Sequence, residues 1–361
     1  MHLPARMSSP FQIYDAGDAF AAPLVRYLHR HPKRIVFPDG HDPRILRVAA
    51  ELVRLECVAP ILLGRRKEIH DLARTLGVPM DFIGVIEPEQ SADFTLFCER
   101  YRKISRYRKV KVTDPGEVMA KPLYYAAMML QYGYADGLVG GNVSLPAAFY
   151  RALFHMLKKL PGADAIGSCL PLTLPQRADL GAQGTLILAD CAIIPAPTVS
   201  QLAMLAVETA RAAALLLDVM PRVAMLSYST RGSVQDAATQ RVLAATGMAR
   251  EMARREFLKM EIDGEMELDA ALDPAAAARK APHSPLGGRA NVLIFPGLTA
   301  ASAAHKLLEI TAGAEAAGHL ILGLARPATQ VSRAATGRVI FRAALATAMR
   351  SVAYREVIER E

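Results

Sequence analysis

This sequence predicts an α/β architecture on a mostly parallel sheet, and three observations point to it. From Arg34 onward, short β-rich runs alternate with longer stretches of helical apolar spacing. Several apolar runs feed directly into polar turns, as strands do where parallel sheets bind ligands. The chain has 361 residues, 52% hydrophobic and 22% charged, with no internal repeat or low-complexity tract, which is the composition of a packed protein of about two domains.

The elements follow in order. "RIVFPDG", residues 34–40, reads as a strand stopped by Pro38 and Gly40. In "DPRILRVAAELVRLE" the apolar residues fall at helical spacing, and Pro43 suits a first helical turn, where its missing N–H costs nothing. "APILLG" is the next strand and "RRKEIHDLARTLG" the next helix, closed by Gly77. Later, "ADGLVGGN", "RVAMLSYSTRGS", "NVLIFPGL" and "HLILGLARPATQVSR" each present an apolar run followed by a polar turn. Only "KLPGAD" (159–164) and "EAAGHL" (315–320) offer crossings between halves of the chain.

The N-terminus shows no apolar core of secretory length, and the apolar helical stretch around 212–217, read as the longest, is far below the roughly 20 residues of a membrane span. A cytoplasmic protein without a membrane partner is the expectation. Cys57, Cys98, Cys169 and Cys191 are scattered without C-x-x-C spacing, so they read as buried thiols, not as a zinc knuckle or disulfide framework. The net charge of +8 concentrates in "ERYRKISRYRKVK", residues 99–111. Basic residues beside Tyr101 and Tyr107 fit a polyanion, and equally a solvated helix face. No helix-turn-helix, RNP or zinc-finger pattern accompanies them, and nucleic acid is not expected as a partner.

Two turns carry candidate chemistry. "YSTRGS" gathers Ser227, Ser229, Thr230, Arg231 and Ser233, a set suited to cradling an anion or simply to satisfying its own backbone. Ser332 and Arg333 stand before a helical stretch with no acidic side chain until Glu356; Ser332 reads either as a helix cap or as a functional hydroxyl. Cys191 has no basic neighbour to activate it, and Asp190 is the more notable polar group there. The carboxylates of "DGEMELDAAL" alternate without a histidine and specify no metal site. There is no Walker loop, G-x-S-x-G elbow or dinucleotide fingerprint.

Taken together, "RIVFPDGHDPRILRVAAELV", "YADGLVGGNVSLPAAFYRA", "LILADCAIIPAPTVSQLAMLAVETA", "PRVAMLSYSTRGS", "KAPHSPLGGRANVLIFPGL" and "VSRAA" resemble the phosphate acetyltransferase and phosphate butyryltransferase family, across roughly residues 34–348. The resemblance implies two three-layer α/β/α domains with an interdomain cleft, similar to the isocitrate and isopropylmalate dehydrogenases. One domain would interrupt the other: 1–162 with 318–361, and 163–317. It implies acyl transfer between coenzyme A and inorganic phosphate, acetyl-CoA and phosphate giving acetyl phosphate, with acyl-CoA as substrate, no tightly bound cofactor or metal, and a homodimer. The family's catalytic Ser-Arg pair falls on Ser332 and Arg333 and a further arginine on Arg151. A substrate-side arginine falls on Arg106, and the hydroxyl-rich loop on residues 227–233.

Departures cluster at the same positions. Where the family has an aspartate that takes the thiol proton of coenzyme A, this chain has Val339; a family tyrosine is His305, a cofactor-binding arginine is Ile310, and a His-Ser-Thr triplet is Ser144, Leu145 and Pro146. Two expectations follow: an acyltransferase, slowed by the loss of the aspartate, in which His305 contacts the substrate and either replaces the lost base or is structural; or an inactive relative that binds coenzyme A, acyl phosphate or an assembly partner.

Overall fold

The computed structural model describes residues 13–109 and 114–358, with 353–358 followed as backbone only. The last two residues of the basic run, Val110 and Lys111, lie outside the described residues.

The chain opens with α1 (Ala21–Arg30), β1 (Lys33–Phe37), α2 (Pro43–Arg54), β2 (Val58–Leu63), α3 (Arg66–Leu76) and β3 (Gly84–Ile86). Helix α2 starts where the Asp42 side chain accepts from the Arg44 N–H with Pro43 in the first turn. Helix α3 ends at Gly77, whose φ of 64° is the left-handed cap glycine favours. Then come α4 (Phe94–Tyr107), α5 (Pro115–Met119), α6 (Pro122–Gln131), β4 (Gly137–Gly140) and α7 (Pro146–Met156). The middle of the chain forms β5 (Gly167–Thr173), β6 (Thr185–Ala189), α8 (Val199–Leu217), β7 (Arg222–Leu226), α9 (Ala237–Arg255) and β8 (Glu261–Met266). It continues with α10 (Leu268–Leu272), α11 (Pro274–Lys280), β9 (Val292–Ile294), α12 (Leu298–Ala312) and β10 (Glu315–Ala316). The chain returns through β11 (His319–Leu322) and β12 (Ala328–Gln330) to α13 (Gly337–Ile358).

A single 12-stranded sheet carries these strands in the order β3-β2-β1-β4-β12-β11-β5-β6-β9-β7-β8, with β10 beside β5. Strands from residues 33–140 and 319–330 fill one side, and those from 167–316 the other. Apart from β11, β5 and the short β10, each side is parallel in itself: β3, β2, β1, β4 and β12 in one, β6, β9, β7 and β8 in the other. The antiparallel pairs β12/β11, β11/β5 and β5/β6 join them. The run "HLILGLARPATQ", which the sequence presents as one strand and its turn, is therefore two strands. Gly323 and Pro327 break it, and the connection is too short for a helical crossover, so the two pair antiparallel.

Helix α13 packs on α1, α2 and α8, and one hydrophobic core runs through both halves, with Leu205 and Ala206 of α8 in it beside Ala344 and Leu345 of α13. Helix α8 is longer and more apolar than the 212–217 stretch suggests. By length and composition it suffices for a membrane span, yet it lies against α9 and the sheet as a core helix, begun by a Thr198/Gln201 capping box. All four cysteines are free and buried.

Candidate active site

Strands β1, β4 and β12 are adjacent and parallel, so their carboxyl ends and the loops that follow lie together at one edge of the sheet. Gly140 pairs with Gln330, and the next residue of the β4 loop, Gly141, has φ +97°. A Cβ on Gly141 would lie 3.0 Å from the Val331 carbonyl oxygen, so glycine is what lets these two loops approach.

Arg44, at the start of α2, ties all three loops together. Its guanidinium pairs with Asp42 at 2.6 Å and donates to the carbonyls of Asn142 (3.0 Å), Arg333 (2.9 Å) and Ala335 (2.7 Å). Asn142 Nδ2 also donates to Asp42, at 2.8 Å. Burial pushes the Asp42 carboxyl up, but the hydrogen bonds from Arg44 and Asn142 outweigh it and hold the group below its ordinary value. Sequence reasoning missed Arg44, because its partners are mostly backbone carbonyls far away in the chain. Nearby, Asp39 Oδ2, Asn142 Oδ1 and Ser144 Oγ are buried without a hydrogen-bond partner among the described residues. Burial raises the Asp39 pKa.

The Ser332–Arg333 turn is exposed. Among the described residues Ser332 Oγ accepts only from the Ala334 N–H (3.2 Å), whereas Thr336 Oγ1 accepts from the Val339 N–H (3.3 Å) in the first turn of α13. Thr336 caps the helix, and the capping alternative for Ser332 falls away. Ser332 borders a cavity of about 310 Å³ whose lining includes Leu170, His305, His319 and Val339.

Arg338 and Arg342 of α13 also line this cavity, and their charges are already matched. Asp18 binds Arg342 at 2.7 Å and Arg338 at 3.1 Å; Glu315 binds them at 2.7 and 2.9 Å. The acidic groups missing from the start of α13 thus arrive from α1's approach and from β10. Lys306 and Glu309, also at the cavity, face each other at 3.4 Å.

His305, on α12, is 2% exposed. Its Nδ1 lies 3.0 Å from the Ala301 carbonyl oxygen, an acceptor only, so Nδ1 carries the proton and the neutral ring keeps its lone pair on Nε2. The ring meets His319 edge-on, with centroids 5.7 Å apart. Burial lowers the pKa of His305, and that of His319 falls to about 3. Both rings are neutral at pH 7.

Arg151 is exposed on α7, the helix that follows the β4 loop, at the same sheet edge as Ser332; neither it nor the Arg333 side chain borders the cavity. Arg106 is exposed near the end of α4. Part of the basic run is structural: Arg108 donates to the carbonyls of Phe154 and Leu157 at the end of α7, and Arg100 lies 3.9 Å from the centre of the Tyr132 ring.

The loop 227–233 corrects the anion-cradle expectation. It follows β7, five strands from β12 and running in the opposite sense, about 24 Å away at the usual strand spacing. Its anion is the protein's own. Ser229 Oγ and the Gly232 N–H donate to Glu265 at 3.1 and 2.6 Å, Thr230 Oγ1 donates to Glu267 at 3.2 Å, and Arg231 pairs with Asp263 at 2.6 Å. Ser233 Oγ is engaged by the Thr230 N–H at 3.1 Å, and Ser227 donates its backbone N–H to Met266. The same bonds account for Asp263, Glu265 and Glu267 of "DGEMELDAAL", and Asp269 pairs with Lys280 at 2.8 Å. Asp190 likewise serves its own loop, accepting from Ser168 Oγ and the N–H groups of Ala192, Ile193 and Ile194.

Fold and site together define an α/β protein with converging loops beyond the carboxyl ends of parallel strands, the place where such sheets bind ligands. Comparison with known proteins narrows that class. Residues 19–348 match the family described as phosphate acetyl/butaryl transferase. The phosphate acetyltransferase of Thermoanaerobacterium thermosaccharolyticum is 36% identical over 86% of this chain and 92% of its own length. Among solved structures, a phosphotransacetylase from Streptococcus pyogenes superposes with a TM-score of 0.82 at 30% identity, covering 92% of this chain and 98% of that one. The EutD phosphotransacetylase from Staphylococcus aureus gives 0.80 at 31% identity over 91% and 98%. The chain belongs to the phosphate acetyl/butaryl transferase family, a family of acyltransferases. The match reaches back to include α1 and begins one residue after Asp18, the partner of Arg338 and Arg342.

Proposed function

We propose that this protein transfers an acyl group, acetyl in the first instance, between coenzyme A and inorganic phosphate. A phosphate oxygen attacks the thioester carbonyl carbon, the carbonyl oxygen takes up the negative charge, and the C–S bond breaks to release the thiolate, which is then protonated. Arg333 and Arg151 counter the phosphate charge in this reading, and Ser332 donates to the developing oxyanion. Arg106 is a candidate for coenzyme A phosphates. The cavity suits the acyl and thiol groups, since its guanidinium and carboxylate groups neutralise one another and leave the exposed arginines to deal with phosphate. We place the reaction in the cytoplasm and in a homodimer, with coenzyme A as a substrate and no resident cofactor. The division into 1–162 with 318–361 and 163–317 is part of the same proposal. An inactive, binding-only role finds no support in relatives that are named as transferases.

The observation that carries this reading is the Ser332–Arg333 turn: exposed, free of capping duty, and held by Arg44 at the ends of three parallel strands. Acetyl-CoA consumption with phosphate tests it. Arg333→Ala is expected to lower kcat/KM for phosphate by about 10²–10³-fold and Ser332→Ala to lower kcat. A wild-type protein that binds coenzyme A without turnover would refute it.

A further inference from the structure

Reverse acyl transfer, from acyl phosphate to coenzyme A, needs a group that takes the thiol proton as sulfur attacks. Position 339, on the cavity wall beside Ser332, offers only a valine. The groups bordering that cavity can be taken in turn. Arg338 and Arg342 on α13 cannot lose a proton at neutral pH. Glu315 holds both of those guanidiniums. On α12, Lys306 is an ammonium and Glu309 is turned to it at 3.4 Å. On β11, His319 has its Nδ1 sealed from solvent without a partner, and burial makes it too weak a base to hold a proton. His305 is left. The Ala301 carbonyl fixes its proton on Nδ1, and its Nε2 lone pair has no partner among the described residues.

We propose that His305 Nε2 is the general base that accepts the coenzyme A thiol proton, and in the other direction the acid that returns it to the departing thiolate. The inference rests on the acyl-transfer reading above. The thiolate sulfur bonds to the acyl carbon, the C–O bond to phosphate breaks, and phosphate leaves with the electron pair while the proton stays on the imidazolium. Neighbouring His319 is neutral and does not oppose that charge, while Glu309 on the same helix favours it and Lys306 opposes it.

The test uses full-length protein, acetyl phosphate and coenzyme A, with kcat and KM measured from pH 5.5 to 9. His305→Asn keeps a donor for the Ala301 carbonyl and removes the base; it is expected to lower kcat by about 10²-fold or more with little change in KM. Its remaining rate should climb about tenfold per pH unit towards the thiol pKa of ~8.5, whereas wild type flattens well below that. Val339→Asp added to His305→Asn should restore at least about tenfold, which a merely structural histidine would not allow. Loss of kcat/KM must be equal in both directions, because the equilibrium constant is unchanged. If wild type turns over and His305→Asn stays within threefold of it, or loses activity without a change in pH profile, the assignment is overturned and the acyl-transfer reading survives. Loss on Glu309→Gln with His305→Asn unaffected overturns it in favour of Glu309. A wild type without turnover overturns both.

Discussion

Arg44 holds the three loops of the site together through contacts that no local sequence pattern marks. Arg44→Met keeps the length and apolar stem of the side chain while removing the ion pair to Asp42 and three carbonyl contacts at 2.7, 2.9 and 3.0 Å. Removing one partner of a buried ion pair costs about 3–5 kcal/mol. Two features lower that figure here: the Arg44 side chain is 30% exposed, so water reaches its vacated partners, and Asp42 keeps the Asn142 amide and the Arg44 N–H. A loss of about 2–3 kcal/mol remains, and it falls on the loops, because only loop groups are unlatched. At about 1.4 kcal/mol per tenfold, the open population should rise roughly 30- to 140-fold.

Amide hydrogen exchange reads this directly. The Val331 N–H, bonded to Gly140, and the Ala335 N–H, bonded to Ser332, should exchange faster by that factor, while amides of β6 and α8 hold steady. Acyl transfer should fall at least about tenfold, since the loops carry Ser332 and Arg333. Arg44→Lys, a single point donor with the same charge, should lie between the two. Unchanged exchange at Val331 and Ala335 in Arg44→Met, with activity intact, would mean that the three loops hold themselves and that the guanidinium is incidental.

Two further outcomes follow from buried groups. His319, with a folded pKa of about 3 against an ordinary ~6.5, contributes stability that is complete above pH 6.5 and is lost as the pH falls towards 3, by up to about 1.4 kcal/mol per unit; urea melts at pH 7 and 5 should therefore differ by up to about 2 kcal/mol more in wild type than in His319→Leu, and equal differences would contradict the sealed ring. Glu265→Gln should cost about 1–3 kcal/mol through its bonds to Ser229 and Gly232, with KM for coenzyme A unchanged within twofold; a tenfold rise in KM for Ser229→Ala at full stability would return loop 227–233 to the substrate.

What could be read from the sequence was what chain neighbours decide. Helices α2 and α3 were legible because Asp42, Pro43 and Gly77 mark their ends within a residue or two and the apolar spacing fills the interval. The β11–β12 pair was not, because Gly323 and Pro327 look the same inside a polar turn as at the corner between two strands. Loop 227–233 misled for a different reason. Hydroxyls, backbone N–H groups and a guanidinium suit any anion, and the carboxylate that occupies them sits 33 residues on from Gly232, at the end of a neighbouring strand. Arg44 reaches a carbonyl 289 residues away, and no local pattern encodes such a contact.

The same distance in sequence accounts for the missing acid at the start of α13. Arg338 stands in the first turn, where a positive charge opposes the helix dipole, and the first turn has no acidic residue of its own. Asp18 and Glu315 come from opposite sides to offset it, and both also hold Arg342, which is 2% exposed. Such a wall is neutral as a unit. Removing one carboxylate would leave a guanidinium uncompensated and make the cavity attractive to phosphate, in competition with Arg333 outside it. On the acyl-transfer proposal, a neutral wall admits the acyl and thiol groups as far as Ser332 and leaves the incoming phosphate to the exposed Arg333 and Arg151, next to the carbon it attacks.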